Sequence, residues 1–294
     1  MPELPEVEVL VRHLDPLLRE ETIRNILIRR ERVLRPTTVA QLKRRLKGST
    51  FNGVSRRAKF LVFDLRSRDS KPFVVLGHLG MSGRMYLQPK AAMLAKHAAV
   101  VLDLGEENFV FEDTRYFGRF TLDLSPLDGL GPEPLTPQFC TEDLGRSLSK
   151  SNQPIKVKLL DQRVVAGIGN IYASEALFRA RIPPGKPARK LSQEERTALC
   201  DAIRQVLEQA IGFGSTVPLN FPGRERSNRL FYYGREPETP SSEEGLLVYD
   251  RENQPCVNCA APIRRIVQAA RSTFFCPNCQ GRSKTRQRRG GPKP

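Results

Sequence analysis

Ile155-Lys-Val-Lys-Leu-Leu-Asp-Gln-Arg-Val-Val-Ala-Gly-Ile-Gly-Asn-Ile-Tyr-Ala-Ser-Glu-Ala-Leu-Phe178 governs the reading of the C-terminal half. Apolar residues at helical spacing flank Gly-Ile-Gly, which spells helix, tight turn, helix. The second helix is expected to begin at Asn170, a favourable N-cap. Gly167 and Gly169 carry no bulky side chain, so free N–H groups at that start are expected to form an anion site for a phosphate. Lys156 and Lys158 lie nearby in sequence. A helix–turn–helix shape is common among helical proteins, so its meaning depends on its company.

Downstream, Ser192-Gln-Glu-Glu195 is a capping-box spelling. Behind it Leu199, Ile203, Val206, Leu207, Ala210 and Ile211 share one helical face, with Gly212 expected to end the run. Residues 213–254 are rich in Gly, Pro, Ser and charge and read as long loops. Then comes Cys256-x2-Cys259-x16-Cys276-x2-Cys279. Two such knuckles place four thiolates around one tetrahedral zinc, closed to further ligands and therefore structural. Two disulfides are the competing reading, and a chain of this size without a secretory leader disfavours them. The segment between the knuckles reads as two short strands. Arg271 stands near their tip, where it can meet a phosphate or remain a solvated surface arginine. Cys140 and Cys200 read as ordinary core residues. The last stretch, 281–294, is a low-complexity basic tail expected to be disordered.

Upstream of the quoted segment the period changes. Residues 5–18 suit a helix, with Pro5 early and Val7, Leu10, Val11 and Leu14 on one face. Strand-like runs follow at 26–28, 58–65, 73–79, 84–87, 98–104, 108–112 and 119–124, which favours an antiparallel sandwich or barrel. A proline-rich stretch, Leu130-Gly-Pro-Glu-Pro-Leu-Thr-Pro137, marks a domain exit.

The 294 residues suit about two domains, and a hydrophobic fraction of 39% is enough for cores. No run approaches a membrane span. The start, MPELPEVEV, bears three glutamates where a signal peptide carries positive charge, so a soluble intracellular protein is expected. Lys+Arg number 48 against 32 Asp+Glu, a net charge of +16. Residues 255–294 hold nine basic residues and no acidic one, and residues 24–47 hold nine against one. Such clustering is the footprint of a nucleic-acid partner, ahead of an anionic membrane or a generically basic surface. With zinc ribbon and helical turn, it favours DNA over RNA.

The N-terminus offers chemistry of its own. Removal of Met1 makes Pro2 a secondary amine that titrates near pH ~8. Such an amine can attack an electrophilic carbon and form an iminium, with the Glu3 carboxyl beside it to move protons. Taken alone, a proline here more commonly just starts a helix.

Met1-Pro-Glu-Leu-Pro-Glu-Val-Glu8 resembles the start of bacterial, zinc-finger-containing formamidopyrimidine-DNA glycosylases (Fpg). So do Arg56-Arg-Ala-Lys59, His78-Leu-Gly-Met-Ser-Gly83, Asp113-Thr-Arg-Tyr-Phe-Gly118, Leu130-Gly-Pro-Glu-Pro-Leu135, the segment 155–178 and the finger, all in family order. The resemblance implies an α+β fold. An N-terminal antiparallel β-sandwich flanked by helices (1–131) would lead through a linker (132–150) to a helix-two-turn-helix domain with a lesion-covering loop (151–254). A β-ribbon zinc finger (255–280) and the basic tail would follow, with double-stranded damaged DNA crossing the cleft. It also implies a monomer of the bacterial cytoplasm, associated with the nucleoid, holding one structural zinc and no other cofactor.

The implied activity is excision of oxidised purines followed by strand cleavage. Pro2 would attack C1′, Glu3 would give a proton to the opening sugar, Lys59 would serve β-elimination and Arg271 δ-elimination. Met81, Arg115 and Phe117 would fill the hole left by a flipped nucleotide. His97, Lys156 and Asn170 would contact DNA. Read alone, Met81 and Phe117 are ordinary core candidates, and His97 a surface or packing residue. Departures are Ala98-Ala99 where the family often has Asp after the histidine, Val248-Tyr-Asp-Arg251 where it tends to have Val-Tyr-Gly-Arg, and an unusually long 213–254. Oxidised pyrimidines as substrates, or damage binding without catalysis, are the alternatives.

Overall fold

The computed structural model describes residues 2–137, 139, 141–214 and 245–281. The expected lesion-covering loop, the basic tail and Cys140 therefore fall largely or wholly outside the described residues. Helix α1, Leu4–Leu18, opens the chain. Its Val7, Leu10, Val11, Leu14 and Leu18 pack into a sandwich core, whereas Leu4 and Val9 enter a second, helical core. One helix thus has two apolar faces, each spent on a different core.

The sandwich has two four-stranded antiparallel sheets. One runs in the order β1 (Asn25–Ile28), β6 (Ala98–Asp103), β7 (Glu107–Asp113), β5 (Gly83–Pro89). The other runs β2 (Thr50–Arg57), β3 (Phe60–Arg66), β4 (Pro72–His78), β8 (Arg119–Thr121). Their inner faces meet through Phe63, whose ring lies 6.1 Å from Phe51, 5.6 Å from Phe109 and 5.7 Å from Phe120. Two elements were not anticipated. Strand β2 contains Asn52 and Gly53 and a register shift between Phe51 and Gly53, which breaks the alternation that marks a strand. Helix α2, Val39–Leu46, buries only Leu42 and Leu46 and is held by a capping box at Thr38 and Gln41.

The helical part comprises α3 (Thr141–Leu148), α4 (Ile155–Leu159), α5 (Asn170–Arg179) and α6 (Gln193–Gly214). Part of the expected linker is thus α3, with Leu144 and Leu148 in the helical core. The first helix of the quoted segment has only five residues, and residues 160–169 are turns rather than one tight corner. Gly212 does not stop α6, which continues to Gly214. The expected face of α6 is buried, as is Cys200. Strands β9 (Arg264–Gln268) and β10 (Arg271–Phe275) form the ribbon of the finger. Among the described residues no helix is long and apolar enough to cross a membrane.

Because Phe63 is fully buried between the sheets, Phe63→Ala is expected to cost about 3–5 kcal/mol of stability. Denaturant unfolding of the full chain measures it, and a loss below about 1 kcal/mol would contradict this packing.

Candidate active site

The Gly-Ile-Gly turn does not leave its N–H groups to a phosphate. Gly169 is the N-cap of α5, with Asn170 the first helical residue. The Glu3 carboxylate fills the helix start: Oε2 accepts from Gly169 N–H at 2.7 Å and Tyr172 N–H at 3.4 Å, and Oε1 from Ile171 N–H at 3.0 Å. The expected anion site is real, and the chain's own carboxylate occupies it. Both glycines serve that approach. A Cβ on Gly169 would fall 2.3 Å from Glu3 Cδ, and one on Gly167, whose φ is +87°, 2.6 Å from Leu4 Cδ1. Leu4 N–H donates to Gly167 carbonyl at 3.0 Å. Pro2, buried, is thereby fixed where α1 meets α5.

Glu6, one turn along, is also buried. Its Oε2 accepts from Glu3 N–H and its Oε1 from Tyr172 Oη–H, each at 2.7 Å. Burial, and secondarily the Glu3 charge, push its pKa up to about 7. Sequence reading missed it, although Glu6 stands inside the N-terminal motif.

Lys59 sits in the turn between β2 and β3. That turn is clamped by Glu133, which accepts from Ala58 N–H at 2.5 Å, Arg57 Nη1 at 2.9 Å and Arg56 Nη1 at 2.8 Å. Ala58 has φ +53°, a left-handed conformation that the clamp sustains. Gly131 N–H donates to Gln162 carbonyl at 2.8 Å. The proline-rich stretch is therefore more than an exit, because it joins the lysine turn to the helical part. Burial lowers the Lys59 pKa and the Arg271 charge lowers it further, with Glu3 and Glu6 opposing. Lys59, Glu3, Glu6 and Arg271 thus share one site, assembled from α1, the β2–β3 turn and the finger.

Lys156 is fully buried. Its ammonium donates to Asn170 Oδ1 and, at 3.3 Å, to Ser272 carbonyl, which also accepts from Asn170 Nδ2 at 2.9 Å. Burial and Arg271 bring its pKa down to about 8. Lys156 and Asn170 hence join α4, α5 and β10 beneath Arg271, which is exposed at the start of β10. Lys158 pairs instead with Asp161 at 3.0 Å. Glu175 supplies a further tie that sequence reading missed. Its carboxylate accepts from the N–H groups of Leu247, Val248 and Tyr249 at 2.8–2.9 Å.

Met81 and Phe117 are not core residues: they are 47% and 45% exposed. They project from two loops that Asp113, fully buried, holds together. Its Oδ1 accepts from Ser82 Oγ at 2.6 Å and Arg115 N–H at 3.1 Å, its Oδ2 from Gly118 N–H at 2.8 Å. The Arg115 guanidinium lies 5.0 Å from the Phe117 ring centroid. His97 Nδ1 is 3.1 Å from Tyr116 Oη, to which Arg30 Nε donates, also at 3.1 Å.

The four finger cysteines have their Sγ atoms within 4.8 Å of one another, with near pairs at 3.4, 3.6 and 3.8 Å. Tetrahedral zinc with bonds of ~2.3 Å requires S···S separations of ~3.8 Å. The residues fit, and Cys256, Cys259, Cys276 and Cys279 hold one structural zinc, whose role is to fix the ribbon that carries Arg271.

Residues 1–120 match the formamidopyrimidine-DNA glycosylase N-terminal domain, residues 130–219 its H2TH domain, and residues 253–281 the zinc finger found in FPG and IleRS. The chain belongs to the formamidopyrimidine-DNA glycosylase family. It is 39% identical over 290 residues to the formamidopyrimidine-DNA glycosylase of Thermus thermophilus, covering 96% of this chain and 99% of that one. The Cytobacillus firmus protein of that name is 37% identical, covering 95% and 100%. Among solved structures, Lactococcus lactis Fpg with abasic-site DNA superposes with TM-score 0.83 at 32% identity, over 95% and 99% of the chains. MutM with carbocyclic 8-oxo-G DNA gives 0.82 at 32%, over 95% and 100%.

Two outcomes follow from the site. Glu6 is pushed above its unfolded value of 4.5, so the folded state holds the extra proton between pH 4.5 and about 7. Its contribution is complete below the unfolded value and is lost as pH rises through the folded one, by on the order of 3 kcal/mol. Glu6→Gln keeps both partners, with the amide oxygen accepting from Glu3 N–H and the amide nitrogen donating to Tyr172 Oη. Wild type minus Glu6→Gln in pH-dependent unfolding is expected to show that slope between pH 4.5 and about 7 and to level off above it; parallel curves would contradict it. Chelating the zinc is expected to release the ribbon to protease and weaken DNA binding. Metal content, proteolysis and DNA affinity read together decide this, and a ribbon equally resistant without metal would contradict the structural role.

Proposed function

We propose that this chain is a bifunctional glycosylase and abasic-site lyase for oxidised purines such as 8-oxoguanine and formamidopyrimidines. The observation that supports the reading is the N-terminus: Glu3, next to a buried Pro2, seats its carboxylate on the start of α5, and its charge acts on Lys59. Family membership and the damaged-DNA complexes of the relatives support the substrate class.

With Met1 removed, the Pro2 nitrogen attacks C1′ of a flipped nucleotide, the glycosidic C–N bond breaks and the base departs with a proton. A proton from solvent, relayed through the Glu3 carboxylate, reaches the ring oxygen as the sugar opens to an iminium. Loss of a C2′ proton then expels the 3′ phosphate. Lys59, whose depressed pKa favours a neutral amine fraction, contacts phosphate and moves protons in that step. Arg271 grips the phosphate expelled in the following δ-elimination, leaving a one-nucleotide gap with phosphates at both ends. Met81 and Phe117 replace the lost stacking, and Arg115 hydrogen-bonds the orphaned base. His97 and Asn170 contact the backbone, and Lys156, fully buried, holds Asn170 and Ser272 in place for it. The chain acts as a monomer on double-stranded DNA in the bacterial cytoplasm, at the nucleoid.

Borohydride trapping on a duplex with 8-oxoguanine opposite cytosine tests this, after intact mass confirms loss of Met1. A covalent adduct with excision and strand cleavage is expected, and Pro2→Gly should abolish the adduct. An adduct confined to oxidised pyrimidines would move the specificity, and tight binding with no adduct would leave a DNA-binding protein without catalysis.

A further inference from the structure

The basic run at 24–47 is only partly used by the site described above. Its C-terminal third lines an open cavity of about 900 Å³ between α2 and the turn joining β3 to β4. Arg44, Arg45 and Lys47 enter from the end of α2, and Arg68 and Lys71 from the turn. An amphipathic helix explains cations on its own outer face, but not their convergence with two more from a separate element.

The geometry favours a charged occupant. Among the described residues no carboxylate forms an ion pair with any of the five. Asp69 and Asp123 also line the cavity, and Asp123 is engaged by Ser125 N–H at 3.1 Å and Ser125 Oγ at 2.9 Å. Five cations against two anions leave the concavity positive, and concave walls focus that potential. Two of the cations are seated. The Arg45 guanidinium lies 4.3 Å from the Phe73 ring centroid. Arg68 lies over the bare backbone of Gly48, where a Cβ would fall 2.0 Å from its Nε.

Its position sets it apart from the catalytic site. Strand β3 starts at Phe60, beside Lys59, and ends at Arg66, next to the cavity turn. At ~3.3 Å per residue that separates the two by roughly 20 Å, at opposite ends of one sheet. The cavity therefore lies outside the cluster of Glu3, Glu6, Lys59 and Arg271 that forms the candidate active site.

We infer that this cavity binds the sugar-phosphate backbone of a second DNA segment while the first occupies the active site. The two sites together let the protein hold two duplexes and pass from one to the other without full release. The contact reads phosphates, not bases, so it is independent of sequence and steeply salt-dependent.

The test uses the full-length zinc-loaded protein with a short duplex carrying a tetrahydrofuran abasic site and, in a second colour, an undamaged duplex. Fluorescence-detected sedimentation at low salt is expected to show both colours in one complex. Arg44→Glu combined with Lys71→Glu, both exposed positions, is expected to weaken binding of the second duplex at least about tenfold. Affinity for the abasic-site duplex should be unchanged. No two-colour complex, or one that survives the charge reversal intact, overturns the inference. So does tripolyphosphate binding at the cavity without any second duplex, which would mark a small-anion site.

Discussion

A single carboxylate sets the relation between the two halves of the molecule. Glu3 is buried, and a lone buried charge is costly unless hydrogen bonds and a favourable field compensate. Three backbone N–H groups and the positive end of α5 provide both. The consequence is positional. With Glu3 anchored, α1 must start at the junction of sandwich and helices, its Leu4 and Val9 join the helical core, and the residue before Glu3 has no freedom to leave. Residues 2–6 are thereby all buried, with Glu3 and Glu6 hydrogen-bonded into the junction.

The same device recurs. Glu6 accepts from Glu3 N–H, Glu133 from Ala58 N–H, Asp113 from Arg115 and Gly118 N–H, and Glu175 from three consecutive N–H groups. Each carboxylate fixes a loop or a chain end that bears a functional side chain or leads to one. In a chain of net charge +16, these acidic side chains are thus spent inside on backbone, while most cations remain outside facing solvent. A polyanion therefore meets a surface of net positive charge, held in shape in part by carboxylates buried beneath it.

Much of this architecture is legible in the amino-acid sequence. The cysteine spacing specifies the metal centre because four ligands within a short segment need no long-range information. Helix α1 and the face of α6 follow from periodicity alone. What the sequence hides has a common cause in contacts distant along the chain. Gly167 and Gly169 look like a phosphate turn, and only the presence of Glu3, 166 residues earlier, shows what fills it. Asp113 and Glu133 stand in plain view inside the quoted motifs, yet nothing local reveals that they staple Arg115 and the Lys59 turn. Strand β2 hides behind a bulge, and α2 behind a predominance of cations over apolar residues. Met81 and Phe117 show the reverse error: judged by residue type they belong inside, and the loops that Asp113 closes hold them out.

The zinc ribbon extends its influence beyond its own fold. Its cysteines lie away from Lys59 in sequence, but they fix β10, and β10 presents Arg271. That guanidinium lowers the pKa of both Lys59 and Lys156, adding to burial in each. Ser272, the next residue, receives the Lys156 ammonium and the Asn170 amide. A metal with no open coordination position thereby bears on proton equilibria at two lysines, by holding one positive charge against them. The sandwich contributes Lys59, the helical part Lys156 and Asn170, and the finger Arg271, so the electrostatics of the site exist only when all three are assembled.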